Sequence, residues 1–393
     1  MNSKTAVFFG IFFLLYGLCS YYVGLRGYQA FTILFPFHRA SMYWAVTVLL
    51  LTWSLPLSHL NSRYLPPSLN HALNYISSYW LAAFYYLILI FIISDLARML
   101  MRRTGILPTG LRGNYHLVIM GILFTVALLL IYGTWNARHP VVRNYEVTIA
   151  KKSSTMDSMR VVVVSDVHLG WIVGIDRLQQ MAGLINSLHP DLILLPGDII
   201  DEGVDLATEQ EMPAVLQTLQ PRLGTFAAMG NHEYISGNAE ATIDFLDRAG
   251  IKVLRDQAVE IADSFYLAGR DDASRHRFYG SARLALSEVI ADADLKRLPL
   301  ILMDHEPSNL KEPEKAGVDL QFSGHTHRGQ MFPNNYITAA VFEQDWGYLR
   351  KNNFQLIVSC GYGTWGPPIR IGNHPEILNV TVKFADPPLP TAP

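Results

Sequence analysis

Four long stretches without a charged side chain open this chain of 393 residues, over 5–25, 40–60, 75–94 and 115–135. Each has about the 20 residues that a helix needs to cross a ~30 Å hydrocarbon layer. No water is present in that layer to satisfy backbone N–H and C=O groups, and a helix satisfies them within the segment. Four such runs in succession exceed what the core of a soluble bundle supplies. The first run is also too long for the apolar part of a cleaved signal peptide. Residues 1–135 therefore read as a four-helix transmembrane unit, and Trp44, Trp53, Trp80 and Trp135 suit an interfacial aromatic belt.

Charge divides the chain in the same place. Up to Trp135, eight Lys or Arg face a single acid, Asp95, so the acidic remainder and this basic part together hide behind a net charge of −2. Only 16% of all residues are charged, against about 25% in a typical soluble domain. The arginines at 98, 102 and 103 mark the loop expected over 95–114 as cytoplasmic. With four spans, that places both termini, and the domain that follows, on the extracytoplasmic side of the cell membrane, in contact with its lipids. An acidic domain lacks the basic face of a general nucleic-acid binder, so no nucleic-acid partner is expected. Two cysteines, Cys19 and Cys360, make neither a disulfide framework nor a thiolate cluster.

After a link over 136–144, short β-rich apolar runs alternate with amphipathic helical patterns. The runs are Val161–Val164, Leu192–Leu195, Thr225–Met229, Leu300–Met303, Asp319–Phe322, Gln355–Ser359 and Leu378–Val382. Continuous apolar runs indicate strands buried on both faces, and strand–helix alternation indicates a layered α/β domain, over 145–384. The Pro-rich end, 385–393, is expected to be disordered.

The chemistry sits just after five of these runs. Asp166 and His168 follow the first, Asp198 the second, Asn231 and His232 the third, His305 the fourth, and His325 and His327 the fifth. Carboxylate, carboxamide and imidazole donors, with no thiolate among them, suit divalent ions such as Mn, Fe or Zn. Asp-x-His and His-x-His spacing puts both side chains of a pair on one side of an extended backbone. Glycines beside Asp198, Asn231 and His325 permit close backbone approach. One carboxylate can bridge two ions, and two ions can activate a water and clamp an in-line phosphoryl displacement. Any one of these motifs is weak; five in order at strand ends are specific.

In this order, Asp-x-His, Gly-Asp, Gly-Asn-His-Glu, His and Gly-His-x-His resemble the calcineurin-like metallophosphoesterase superfamily over 145–384. The likeness is closer still to a bacterial branch that includes the YkuE and YaeI proteins, through SDVHLG at 165–170, GDIID at 197–201, GNHEY at 230–234, SGHTH at 323–327 and the PIRIG…PEI stretch at 368–377. With its membrane unit the chain looks like transmembrane metallophosphoesterase proteins. The resemblance implies an α/β fold, a calcineurin-like β-sandwich flanked by helices. It implies one metal held by Asp166, His168 and His327, a second held by Asn231, His305 and His325, and Asp198 as the bridge. It assigns His232 to the phosphate and the leaving group rather than to a metal. Asp201 or Asp304 would orient a ligating imidazole.

Four further residues are candidates for substrate contact. Arg328 stands where this branch often has glycine, and Arg370 lies in PIRIG; a guanidinium fits phosphate. Trp171 and Trp365 lie in loops that water normally claims and could line an acyl-chain path. The expected function is hydrolysis of a phosphoester or pyrophosphate bond, with a lipid-linked pyrophosphate as one candidate, since the UDP-diacylglucosamine pyrophosphatases share this architecture. The alternatives are a membrane-tethered phosphodiesterase or phosphatase of soluble metabolites, and a non-enzymatic membrane sensor or scaffold.

Overall fold

The computed structural model describes residues 3–60, 65–106, 114–150, 154–201, 204–205, 211–237 and 239–385. It divides into two compact units, with the break after Thr134.

The first unit is helical: α1 (Ser3–Leu34), α2 (Ala40–Leu60), α3 (Pro67–Arg103) and α4 (Tyr115–Ala137). Among the described residues three segments are long and apolar enough to cross a membrane: Ala40–Ser58, Ser68–Arg103 and His116–Ala137. Three of the four runs expected to span thus lie in helices of membrane-crossing length and composition. The fourth, over 5–25, lies in α1, where side chains before Gly10 fall outside the described residues. Between α1 and α3, the only acid in this unit, Asp95, pairs with Arg26 and accepts a hydrogen bond from the Tyr22 hydroxyl at 2.6 Å. Arg98, Arg102 and Arg103 form the last turns of α3, not a loop as expected. Cations there complement the negative end of the helix dipole.

The second unit holds two six-stranded mixed sheets. The first runs, in spatial order, β1 (Val141–Ala150), β12 (Glu376–Ala385), β2 (Ser158–Val163), β3 (Leu192–Pro196), β4 (Thr225–Ala228) and β5 (Ile251–Val253). The second runs β10 (Gly347–Lys351), β11 (Phe354–Val358), β9 (Leu320–Ser323), β8 (Leu300–Met303), β7 (Phe265–Gly269) and β6 (Gln257–Ile261). Val161, Val163, Leu192 and Leu194 of one sheet pack with Leu267, Ile301, Met303, Leu320 and Phe322 of the other, all fully buried. The outer face of the first sheet is covered by α5 (Ile175–Ser187), α6 (Met212–Leu216) and α8 (Ala239–Arg248), whose Leu178, Ile185, Leu216 and Phe245 join its core. A short α7 (Asn231–Ile235) follows β4 directly. On the second sheet, α10 (Leu286–Val289) and residues flanking α11 (Lys311–Ala316) do the same; α9 (Arg275–Tyr279) and α12 (Asn335–Val341) complete the unit.

This is the expected sandwich, with strands that sequence pattern alone passed over. β1 was expected to be link up to residue 144, yet it pairs with β12 along its whole length from Val141↔Glu376 to Ala150↔Ala385. The link expected over 136–144 thus holds the end of α4 and the start of β1. Of the expected tail 385–393, only Ala385 is described, as the last residue of β12. Four neighbouring strands, β2 to β5, run parallel in one sheet, and β7, β8, β9 and β11 run parallel in the other. Parallel strands deliver their C-terminal loops to the same edge, where α/β sheets place their sites.

Candidate metal centre

The five loops meet at that edge. Asp166, His168 and His327 bring one donor atom each to within 4.8 Å of one another, and Asp198, His305 and His325 do the same. Asp198 belongs to both neighbourhoods: its Oδ2 lies 3.0 Å from His305 Nε2 and 3.9 Å from His168 Nε2. Asn231 joins the second trio, its Oδ1 lying 2.8 Å from His325 Nδ1. The structure thus brings together all seven residues expected to hold metal.

The backbone is bent to achieve this. Asp166, His168, Asp198, His325 and His327 all have positive φ, between 47° and 71°. That region is costly for side chains with a Cβ and persists only when surrounding bonds dictate it. The bonds are present: the backbone N–H groups of Asp166 and His168 donate to the carbonyls of Gly197 and Asp198 at 3.1 Å each, and His325 N–H donates to Asp166 Oδ1 at 2.9 Å. Gly324 is required here, since a Cβ would run into Ser165 Oγ and Asp166 Oδ2. Gly230 is required in the same way by the carboxylate of Asp198.

Three features fit cations. His305 Nδ1 lies 2.8 Å from the Pro196 carbonyl, which settles its proton there and turns Nε2 inward. That Nε2 is buried and faces Asp198 Oδ2 at 3.0 Å without a well-formed hydrogen bond, so its lone pair meets a carboxylate oxygen, a costly state unless a cation stands with them. Two imidazole nitrogens, Nε2 of His168 and Nε2 of His327, sit 3.0 Å apart, with Asp166 Oδ1 3.3 Å from the latter. Lone pairs crowded around one point suit a positive ion better than a proton. Charges point the same way. Burial opposes the charge of Asp198, but His305, His232 and His168 hold its carboxyl well below the usual range. Burial, and the charges of His168 and Arg370, push His327 well below the ordinary imidazole range, so it stays neutral as a ligand must be.

His232 lies beside the two main trios, its ring 4.6 Å from that of His168. Its Nδ1 lies 2.6 Å from Asp201 Oδ1, leaving Nε2 free for another group. Burial works against its charge; the Asp201 bond and the charges of Asp198, Asp201 and Glu233 outweigh it and lift the pKa to about 9. Cations in the neighbouring sites would pull that value back down. By distance alone His232 also forms a trio with His168 and Asp198, so geometry does not separate it from the ligands.

Other expectations need correction. Asp201 does orient an imidazole, that of His232, and its Oδ1 also lies 3.6 Å from His168 Nδ1. Asp304 does not: its carboxylate pairs with Arg283 at 2.9 Å. Arg370 is not available to a substrate. Its guanidinium is fully buried and donates to the carbonyls of Gly361 and Gly363 and to Asn373 Oδ1, with NH2 3.2 Å from His327 Nδ1. It braces the loops behind the site. Arg328 stacks on Trp346, with 4.0 Å from its Cζ to the ring centroid. Trp171 is half-buried, while of the two residues after it Val173 is core and Ile172 packs against the core. Trp365 is 59% exposed, with its ring edge-on to His232 at 5.8 Å.

One residue in the motif escaped notice. Glu233, fully buried, accepts hydrogen bonds from the backbone N–H of Gly230, Asp198, Ile199 and Ile200 at 2.6 to 3.2 Å. It ties the Asp198 loop to the start of α7. Its place three residues after Gly230 is that of a capping-box glutamate, a signal present in the sequence.

A family profile described as calcineurin-like phosphoesterase matches residues 159–329, which hold every residue of both trios. The chain is 29% identical over 359 residues to a transmembrane protein with metallophosphoesterase domain from Danio rerio, spanning 87% of this chain and 81% of that protein. It is 36% identical over 228 residues to an uncharacterized metallophosphoesterase of Aquifex aeolicus, spanning 57% of this chain and 85% of the other. Over 241 residues it is 29% identical to the uncharacterized metallophosphoesterase YkuE of Bacillus subtilis, spanning 58% and 80%.

Proposed function

Because the chain belongs to the calcineurin-like metallophosphoesterase family, we propose that it is a membrane-anchored hydrolase that cleaves a phosphoester or pyrophosphate bond with two divalent cations. Asp166, His168 and His327 would hold one cation, Asn231, His305 and His325 the other, and Asp198 would be shared between them. The observation that carries this reading is the shared position of Asp198, within reach of an imidazole from each trio. When bound, such a pair supplies positive charge that polarises a phosphoryl group and acidifies water.

The chain's own residues do the rest. The backbone bonds at Asp166, His168 and His325 fix the ligands before any ion or substrate arrives, so little reorganisation is left for the reaction. Asp201 holds His232 by Nδ1, so that Nε2 can deliver a proton to the departing oxygen as water attacks phosphorus from the opposite side. Trp365, exposed beside His232, suits a substrate with an apolar part, which favours a lipid-linked substrate at the bilayer surface. The membrane unit supports the same reading: among the described residues three helices are long and apolar enough to cross a bilayer, and our reading puts this domain on the extracytoplasmic side.

The test is Asp198→Asn in the full-length protein. We expect loss of turnover on an aryl phosphate together with loss of bound metal, measured by elemental analysis. Wild-type turnover with two metals per chain in the variant would sink the assignment.

A further inference from the structure

The segment that follows His327 has its polarity reversed. From Gly329 to Phe342 it carries no charged residue. Its helix, α12, turns Tyr336, Ile337 and Val341 outward at 67%, 62% and 69% exposure, and Ala339 and Ala340 are exposed as well. Tyr336, Ile337, Ala340 and Val341 share one side of a 3.6-residue repeat. The polar Thr338 faces the protein instead, its hydroxyl bonded to Asp345 Oδ2 at 2.7 Å and to the Asn335 carbonyl at 3.1 Å. A surface helix in water shows the opposite arrangement. Seven residues are also too few for a helix to persist in water on its own propensity.

This surface is continuous with the candidate metal centre. At the end of α12, the ring of Phe342 stands edge-on to the imidazole of His325, with 5.9 Å between centroids. Five residues ahead of α12, Gln330 accepts from the backbone N–H of Trp365 at 2.9 Å and donates to its carbonyl at 3.0 Å. The charge-free segment and the exposed Trp365 beside His232 are thus one connected rim, built of the aromatic and aliphatic residues that settle at a membrane interface.

We propose that this rim, α12 with Trp365, seats in the acyl-chain layer of the bilayer and presents the metal centre to lipid-borne phosphate. The occupant is lipid because the described residues of the same chain include three helices long and apolar enough to cross a membrane, which keeps a bilayer at hand. The proposal rests on the reading of the protein as a membrane-anchored hydrolase, but its first test does not require hydrolysis. Full-length protein in phosphatidylcholine nanodiscs, with Cys19→Ser and Cys360→Ala, carries Ile337→Cys labelled with an environment-sensitive fluorophore. Asp292→Cys, on the exposed surface, is the aqueous reference. We expect the label at 337 to emit at shorter wavelength, to be quenched by lipids bearing a nitroxide on the acyl chain, and to be shielded from iodide. Quenching by iodide as strong as at 292, with none from the nitroxide lipid, overturns the proposal. So does disulfide cross-linking between two chains at 337, which would make the face a self-association surface. In a second arm, Ile337→Asp with Val341→Asp lowers the rate on a phospholipid-embedded phosphoester several-fold and leaves the rate on a soluble aryl phosphate unchanged. An equal fall on both overturns the rim's role in presentation. If wild type hydrolyses neither substrate, the functional reading fails, while the quenching result still decides where the rim sits.

Discussion

At the residue scale, His232 and Glu233 are neighbours with different jobs. His232 has its Nδ1 spent on Asp201 and its other nitrogen free, the arrangement of a proton donor rather than a strut. His232→Ala should lower turnover roughly 10²–10⁴-fold, the usual worth of a general acid, while bound metal stays at the wild-type level. Loss of metal in step with activity would make His232 a ligand, as its distances to His168 and Asp198 permit. Glu233 touches no substrate; it receives four backbone N–H groups from two loops. In Glu233→Gln an amide N–H₂ replaces one accepting oxygen, so at least one buried donor loses its partner, at about 1–3 kcal/mol each. The expected result is a melting temperature lower by roughly 2–10 °C and weaker metal binding, because the Asp198 loop is loosened. An unchanged melt with unchanged metal content would show that the loop holds its shape without Glu233.

At the element scale, the membrane unit turns on α3. Its last turns carry Arg98, Arg102 and Arg103, extending a helix of 37 residues beyond the apolar stretch expected over 75–94. Arginines at a helix end can snorkel to the headgroups, and their side chains set which end remains in the cytoplasm. A reporter fused to the C-terminus should therefore read as extracytoplasmic. A cytoplasmic signal would reverse the orientation and change which substrates can reach the metal centre.

At the scale of the whole molecule, one chain joins helices long and apolar enough to cross a membrane to a sandwich that gathers candidate metal ligands, and its substrate preference should reflect both. Trp365, exposed beside His232, is where the two demands meet. Trp365→Ala should lower the rate on a lipid-linked substrate more than the rate on an aryl phosphate, so that the ratio of the two falls. A ratio held constant, with a lower melting temperature, would mean that Trp365 serves stability alone and the acyl-chain path does not exist.

Much of this was already decided by local sequence. Charge-free runs of membrane length have few alternatives, because a buried backbone must be paired. Buried strands such as Leu192–Pro196 are continuous apolar runs, and the residues just beyond them can hardly avoid the sheet edge. That is why Asp166, His168, Asp198, Asn231, His305, His325 and His327 were legible as one site before any coordinate. What lay beyond local pattern was whatever depends on a partner distant in the chain. β1 looks like a link until β12, more than two hundred residues later, offers it an edge. Arg370 reads as a phosphate clamp until Gly361, Gly363 and Asn373 take up its donors. Asp304 reads as support for a histidine until Arg283 claims it. The outward apolar face of α12 is invisible as well, since a helix pattern gives the angle between residues but not which side meets water. Sequence determined which groups are present and how they are spaced; only the tertiary packing decided which of their charges and hydrogen bonds remained unspent.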